Sequence, residues 1–284
     1  MRALSKLMIV ALFCSAQFAQ AFAQEPRPII PDVIYGHKAG MALTFDVFKP
    51  NVAANGAGIL HMVSGGWVSS WRDPEVAKNA YAPYLNAGFT VFAVRHGSSP
   101  QFKVPEAYED VKRALRYIHL HAKEWGVDEN RLGVTGGSAG GHLSLMLGND
   151  SDIGDSTARD PVLRGSSKVA AVVAYFPPVD LRGMAGGASE RFPALNFDTT
   201  LAPSVSPLLF VTPDDPPTLL IHGTADRLVP DSHSKLIYAA FQEKKVPTNM
   251  ILIEGAPHGF QGAALAQAQE ASIRWFTEYL AKKE

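Results

Sequence analysis

Cysteine is all but missing from this chain. Cys14 stands alone among 284 residues, in an N-terminal stretch with the features of a removable leader. Beyond it there is no thiol, which excludes a cysteine nucleophile, a disulfide framework and a thiolate metal site. Basic runs and arginine clusters are absent too, so nucleic acid and anionic membrane surfaces are poor partners. The apolar runs Leu7 to Phe13 and Val169 to Phe176 fall far short of the roughly 20 residues of a spanning helix, and no stable membrane anchor is expected. Internal repeats, low-complexity tracts and linkers are likewise missing, which favours one globular domain.

The first residues have a pattern of their own. Arg2 and Lys6 precede the apolar run, and Ala21-Phe22-Ala23 offers an A-x-A cleavage site before Gln24. Residues 1–23 therefore read as a secretory signal peptide, residues 24–284 as the single mature domain, and the product as secreted or periplasmic. Bulky Phe13, where a small residue would precede a lipidated cysteine, argues against anchoring at Cys14. Loss of Arg2 and Lys6 turns the formal charge of −1 into −3.

After the leader, short apolar runs alternate with helical periodicity. Tyr35 to Pro50 reads as an antiparallel hairpin. Ile59 to Val63, Phe89 to Arg95, Arg131 to Thr135, Val169 to Phe176, Thr218 to His222 and Asn249 to Ile253 read as buried strands. Helices are predicted over Pro74 to Ala87, Pro105 to Trp125, from Leu143, Asp231 to Lys244 and Ala264 to Lys282. Strands alternating with helices imply an α/β fold, a mostly parallel sheet covered on both faces, with no large separate cap domain. Leu181 to Pro217 is rich in glycine and proline, has little periodicity, and is a candidate wall or lid for a pocket.

The stretch that organises the rest is Gly136-Gly137-Ser138-Ala139-Gly140, a G-x-S-x-G match lying between a strand and a helix. A sharp turn there puts Ser138 at its apex in a strained backbone, with glycines where a Cβ would clash. A serine hydroxyl is a weak nucleophile and needs a base. His258, just past the last strand, is the candidate. Asp226, just past the strand ending at His222, is placed to orient that imidazole and stabilise its charged form. Asp180 is the alternative acid, whereas Asp231 suits a helix N-cap. Gly65 and Gly66, after the Ile59 to Val63 strand, together with Ala139 are candidate N–H donors to an oxyanion. Trp67, Trp71 and Phe260 are candidate pocket residues, with core packing as the competing reading.

With Ser138, Asp226 and His258 in this order, the chain resembles the α/β-hydrolase superfamily. More narrowly it is similar to carboxylesterases related to hormone-sensitive-lipase-type, feruloyl-esterase-like and prolyl-oligopeptidase-related enzymes. The likeness runs through Gly65-Gly66-Trp67, Val94 to Asp110, the elbow, Pro216 to Gly223, Asp226 to Pro230 and Pro257 to Phe260. Val63-Ser64-Gly65-Gly66 stands where relatives often carry His-Gly-Gly-Gly. The resemblance implies hydrolysis of small or short-chain carboxylic esters through an acyl-enzyme, with no cofactor. Competing readings are an amide or formamide hydrolase or peptidase of the same fold, and a binding module without activity. No metal site is expected: His119 and His121 sit two apart on a helix and do not face each other. His142 is expected to pack beneath the elbow, and His61 and His222 to be hydrogen-bonded core residues.

Overall fold

The computed structural model describes residues 28–187 and 189–281. The expected leader, with Cys14, lies outside them. Eight strands form one sheet: β1 Ile29–Lys38, β2 Met41–Phe48, β3 Gly58–Met62, β4 Thr90–Val94, β5 Leu132–Gly137, β6 Ala171–Tyr175, β7 Thr218–Gly223 and β8 Thr248–Ile253. Their order is β1-β2-β4-β3-β5-β6-β7-β8. Only β1 with β2 and β2 with β4 run antiparallel; every later pair is parallel. The hairpin begins before Tyr35, at Ile29. Its early residues are largely exposed and it is broken by register shifts, so its apolar alternation is weak.

Five helices cover the sheet: α1 Pro74–Asn86, α2 Val104–His121, α3 Ala139–Asn149, α4 Ser232–Lys244 and α5 Gly262–Tyr279. Neighbouring residues of each strand point to opposite faces. Ile59, Val91, Val173 and Ile221 join Tyr81 and Phe276 in the core beneath α1 and α5. Leu60, Phe92, Val134 and Leu220 join Leu115, Leu143 and Phe241 beneath α2, α3 and α4. Burial of this kind contributes about 1.5–3 kcal/mol for each large apolar side chain. Helix α2 ends four residues earlier than its periodicity predicts, because Ala122–Trp125 tightens to a 3-10 turn closed by Gly126 at φ 68°. Trp125 still packs edge-on against Phe45 and Phe92.

The described residues of the segment 181–217 include short 3-10 turns at Pro193–Leu195, Thr199–Val205 and Pro207–Phe210. Leu181, Ala194, Leu195 and Val205 are buried in the α2–α3 core, which ties it down. Among the described residues there is no separate cap. The carboxyl ends of β5, β7 and β8, at Gly137, Gly223 and Ile253, lead to Ser138, Asp226 and His258 respectively.

Candidate active site

Strand β5 passes into α3 through Ser138, whose φ of 55° and ψ of −120° lie in a region side-chain-bearing residues rarely adopt. Such strain costs about 1–3 kcal/mol and persists only where surrounding contacts enforce it. Here Ser138 N–H donates to the Tyr175 carbonyl at 2.9 Å, and Ser138 O accepts from His142 N–H at 2.9 Å. The flanking glycines are needed for space. A Cβ on Gly136 would lie 2.6 Å from the Gly140 carbonyl carbon, and one on Gly140 would lie 2.8 Å from the Met62 oxygen. The turn can close only because both are bare.

Ser138 Oγ lies 3.0 Å from His258 Nε2, and His258 Nδ1 lies 2.7 Å from Asp226 Oδ2. With Nδ1–H donating to the carboxylate, Nε2 presents its lone pair to the serine hydroxyl. Asp226 is sequestered: its other oxygen accepts the N–H groups of Leu228 and Val229, both at 2.9 Å. Asp226 Oδ2 also faces His222 Nε2 at 3.3 Å, a proton shared with the Val229 carbonyl at 2.8 Å. Ser234 meets the other nitrogen of His222 at 2.7 Å. The carboxylate is therefore held by donors on every side, and its negative charge is well placed behind the imidazole.

The alternative acids sit elsewhere. Asp180 is engaged by Arg182 at 2.9 and 2.7 Å. Asp231 precedes α4 as expected, but its side chain makes no cap; it pairs with Lys235 at 2.8 Å instead.

Of the expected oxyanion donors, Gly65 is withdrawn. Gly65 and Val68 exchange two backbone hydrogen bonds of 3.0 Å, so the Gly65 N–H is already used. Those bonds close a four-residue turn whose central residues, Gly66 at φ 56° and Trp67 at φ 58°, are both left-handed, as a type I′ turn requires. Among the described residues, the N–H groups of Gly66, Trp67 and Ala139 donate to no protein acceptor. Ala139 also opens α3, whose dipole favours negative charge at that end.

The expected pocket aromatics divide. Trp67 is buried, and its indole N–H donates to His142 Nδ1 at 3.3 Å, so it braces the turn from below. His142 passes its own proton to the Val205 carbonyl at 2.8 Å, and burial lowers its pKa to about 4. Trp71 is 61% exposed and borders a cavity of about 310 Å³ with Thr44, His96 and Gln101, whose lining includes none of the three triad candidates. Phe260 is buried and packs edge-on against Phe176 at 5.1 Å. His119 bonds the Lys168 carbonyl, whereas His121 bonds Glu124.

Residues 45–241 match the BD-FAE family, well over half of the chain. The chain belongs to the BD-FAE family. This BD-FAE chain is 25% identical to the esterase LipQ of Mycobacterium tuberculosis over 84% of its own length and 59% of LipQ's. It is 27% identical to an ethyl acetate hydrolase of Pseudomonas putida, over 88% of this chain and 82% of that one. A truncated carbohydrate esterase from gut microbiota superimposes with a TM-score of 0.75 at 27% identity, covering 89% of this chain and 96% of that one. The chain spans less than two thirds of LipQ and of its two M. tuberculosis counterparts LipM and LipC.

Two aromatic residues of the BD-FAE chain were not legible as site residues. Phe176, at φ 36°, puts its ring 4.6 Å from that of His258. Phe192, from the 181–217 segment, sits where a Cβ on Gly66 would come within 3.0 Å of its ring. The one available signal was Phe176-Pro177-Pro178 at a strand end, where proline stops the strand.

Proposed function

We propose that this protein is a serine carboxylesterase acting on small or short-chain carboxylic esters. The observation that carries the reading is the unbroken chain of hydrogen bonds from Ser138 through His258 to Asp226, at 3.0 and 2.7 Å. His258 Nε2 takes the hydroxyl proton as Ser138 Oγ bonds to the ester carbonyl carbon. The carbonyl oxygen becomes an oxyanion and is met by N–H groups of Ala139 and Gly66, with Trp67 as a third candidate. The tetrahedral adduct collapses as His258 returns the proton to the departing alkoxide, leaving acylated Ser138 and a free alcohol. Water then repeats the sequence, with His258 as base, to release the acid and restore the serine. Asp226 keeps the imidazole in the tautomer that both steps need.

Support for an ester bond comes from the relatives, an esterase, an ethyl acetate hydrolase and a carbohydrate esterase. The reading includes an extracytoplasmic destination, supported by Arg2, Lys6, the Leu7 to Phe13 run and Ala21-Phe22-Ala23. Cell fractionation with N-terminal sequencing should find the protein in the secreted or periplasmic fraction beginning at Gln24; protein confined to the cytoplasm with Met1 intact would reject that destination. The activity is tested by fluorophosphonate labelling alongside turnover of an aryl ester and its matched amide. An adduct on Ser138, with ester turnover well above amide turnover, is expected. An unlabelled folded protein favours the binding module, and amide turnover equal to ester turnover favours the amidase or peptidase.

A further inference from the structure

Behind the Gly65–Val68 turn, between α1 and the sheet, lies a second cavity of about 260 Å³. Gly137, bonded directly to Ser138, forms part of its wall, and Ser64 forms another part. His61 belongs to this wall because β3 alternates: it shares the α1 face with Ile59 and meets the Tyr81 ring edge-on at 5.2 Å. The expectation of a hydrogen-bonded core histidine is not met. His61 Nδ1 is buried and has no partner among the described residues.

Two more polar groups of the same cavity are unengaged. Among the described residues, neither the Tyr81 hydroxyl nor the Arg72 guanidinium has a hydrogen-bond or ion-pair partner within the chain. Of the three, only His61 Nδ1 is shut away from solvent and bears the cost of about 1–3 kcal/mol for an unpaired buried group; Arg72 is exposed and the Tyr81 hydroxyl keeps solvent access, so both stand free to meet a ligand that enters. All three can donate: a guanidinium and a phenol always, a neutral imidazole through one nitrogen. Burial keeps His61 neutral, with its pKa lowered to about 4, and raises that of Tyr81 to about 12, so the phenol keeps its proton. The one carboxylate in the wall, Asp46, offers no objection to an incoming anion. Its oxygens accept from Arg95 at 2.6 and 3.0 Å and from the Asp32 N–H at 2.8 Å.

We propose that this cavity is a carboxylate subsite, so that the preferred esters carry a free carboxylate a few bonds from the scissile carbonyl, received by Arg72, Tyr81 and His61. The proposal rests on the esterase reading for the word ester, but anion binding by the cavity can be measured without turnover. In full-length Ser138→Ala protein, binding of 4-acetoxybenzoate and of neutral 4-acetoxybenzamide is compared by calorimetry. A second pair, 4-nitrophenyl hemisuccinate and 4-nitrophenyl levulinate, places the charge on the acyl side instead. In at least one pair the anion should bind about tenfold or more tighter than its neutral counterpart. Adding Arg72→Gln should reduce that ratio to near one, and Tyr81→Phe should lower it severalfold while the ring is kept. The unmutated protein should show the same anion-to-neutral ratio in kcat/KM, weakened by added salt. Equal binding of anion and neutral partner in both pairs, or ratios unmoved by Arg72→Gln, would overturn the subsite whether or not the neutral esters are hydrolysed. Failure of the unmutated protein to hydrolyse any of the four esters, charged or neutral, would overturn the esterase reading alone.

Discussion

Acid should destabilise this fold through two histidines that the native state keeps unprotonated. His61 and His142 have pKa values lowered to about 4 from 6.5, in both cases by burial. A base whose folded pKa is depressed binds its proton more readily in the unfolded chain. Stability therefore rises with pH between about 4 and 6.5, and is lost as pH falls through that window. Integrating the difference, each histidine costs almost nothing at pH 7.5 and about 2–3 kcal/mol at pH 4.5, against total stabilities of about 5–15 kcal/mol. His96, His119, His222 and His233, also shifted downward by burial, act in the same direction. Asp215 opposes them, because burial raises its pKa to about 6 and its folded form gains a proton on acidification. The assay is urea unfolding at the two pH values for the unmutated protein and for His142→Gln. Glutamine removes the titration, so the acid-induced loss should shrink by about 2–3 kcal/mol, whatever the variant does to stability at pH 7.5. An identical loss in both proteins would show that His142 is not held neutral, and would undo the account of the Trp67–His142 bond as a fixed brace.

Asp226→Asn should lower kcat about 10⁴-fold on an aryl ester while the protein stays folded, whereas Asp180→Asn should change it less than about twofold; the reverse pattern would exchange the acids. Gly65→Ala should be tolerated, because a Cβ there meets nothing within 4 Å and the turn's hydrogen bonds survive. Gly66→Ala forces an L side chain into φ 56° against Phe192 and should slow turnover about 10- to 100-fold by misaligning the oxyanion donors; equal rates in the two variants would relocate the donor turn.

What could be read from the chain alone divides along a physical line. Ser138, Asp226 and His258 were legible because a parallel sheet sends each strand's carboxyl end to one rim, so position just after a strand is already a statement about space. The glycines of the elbow were legible for a related reason, since a hairpin-tight strand-to-helix turn leaves no room for side chains. Gly65 was misread because its location at a strand end is a matter of sequence, while the destination of its N–H depends on how four residues close into a turn. Glycine and tryptophan in succession do not announce that Val68 will fold back onto Gly65. Phe176 and Phe192 come from separate stretches and meet the site only through tertiary packing.

His61 is the more instructive miss. Strand alternation places it with Ile59 on the face beneath α1, and a polar side chain on such a face ordinarily finds a partner. Periodicity chooses the face but carries no record of what stands opposite. The residues opposite turn out to be Tyr81 from α1 and Arg72 from the loop before it, brought there by the same helix that covers the sheet. Three groups from three separate segments thus border one space whose wall includes Gly137, the residue before Ser138, while Asp46, the carboxylate in that wall, is already taken up by Arg95. A core that satisfied itself would have put an apolar residue at position 61 or an acceptor across from it. The unpaired His61 Nδ1 is what the proposed carboxylate subsite accounts for, and Gly137, in the same wall, ties that space to the turn at Ser138.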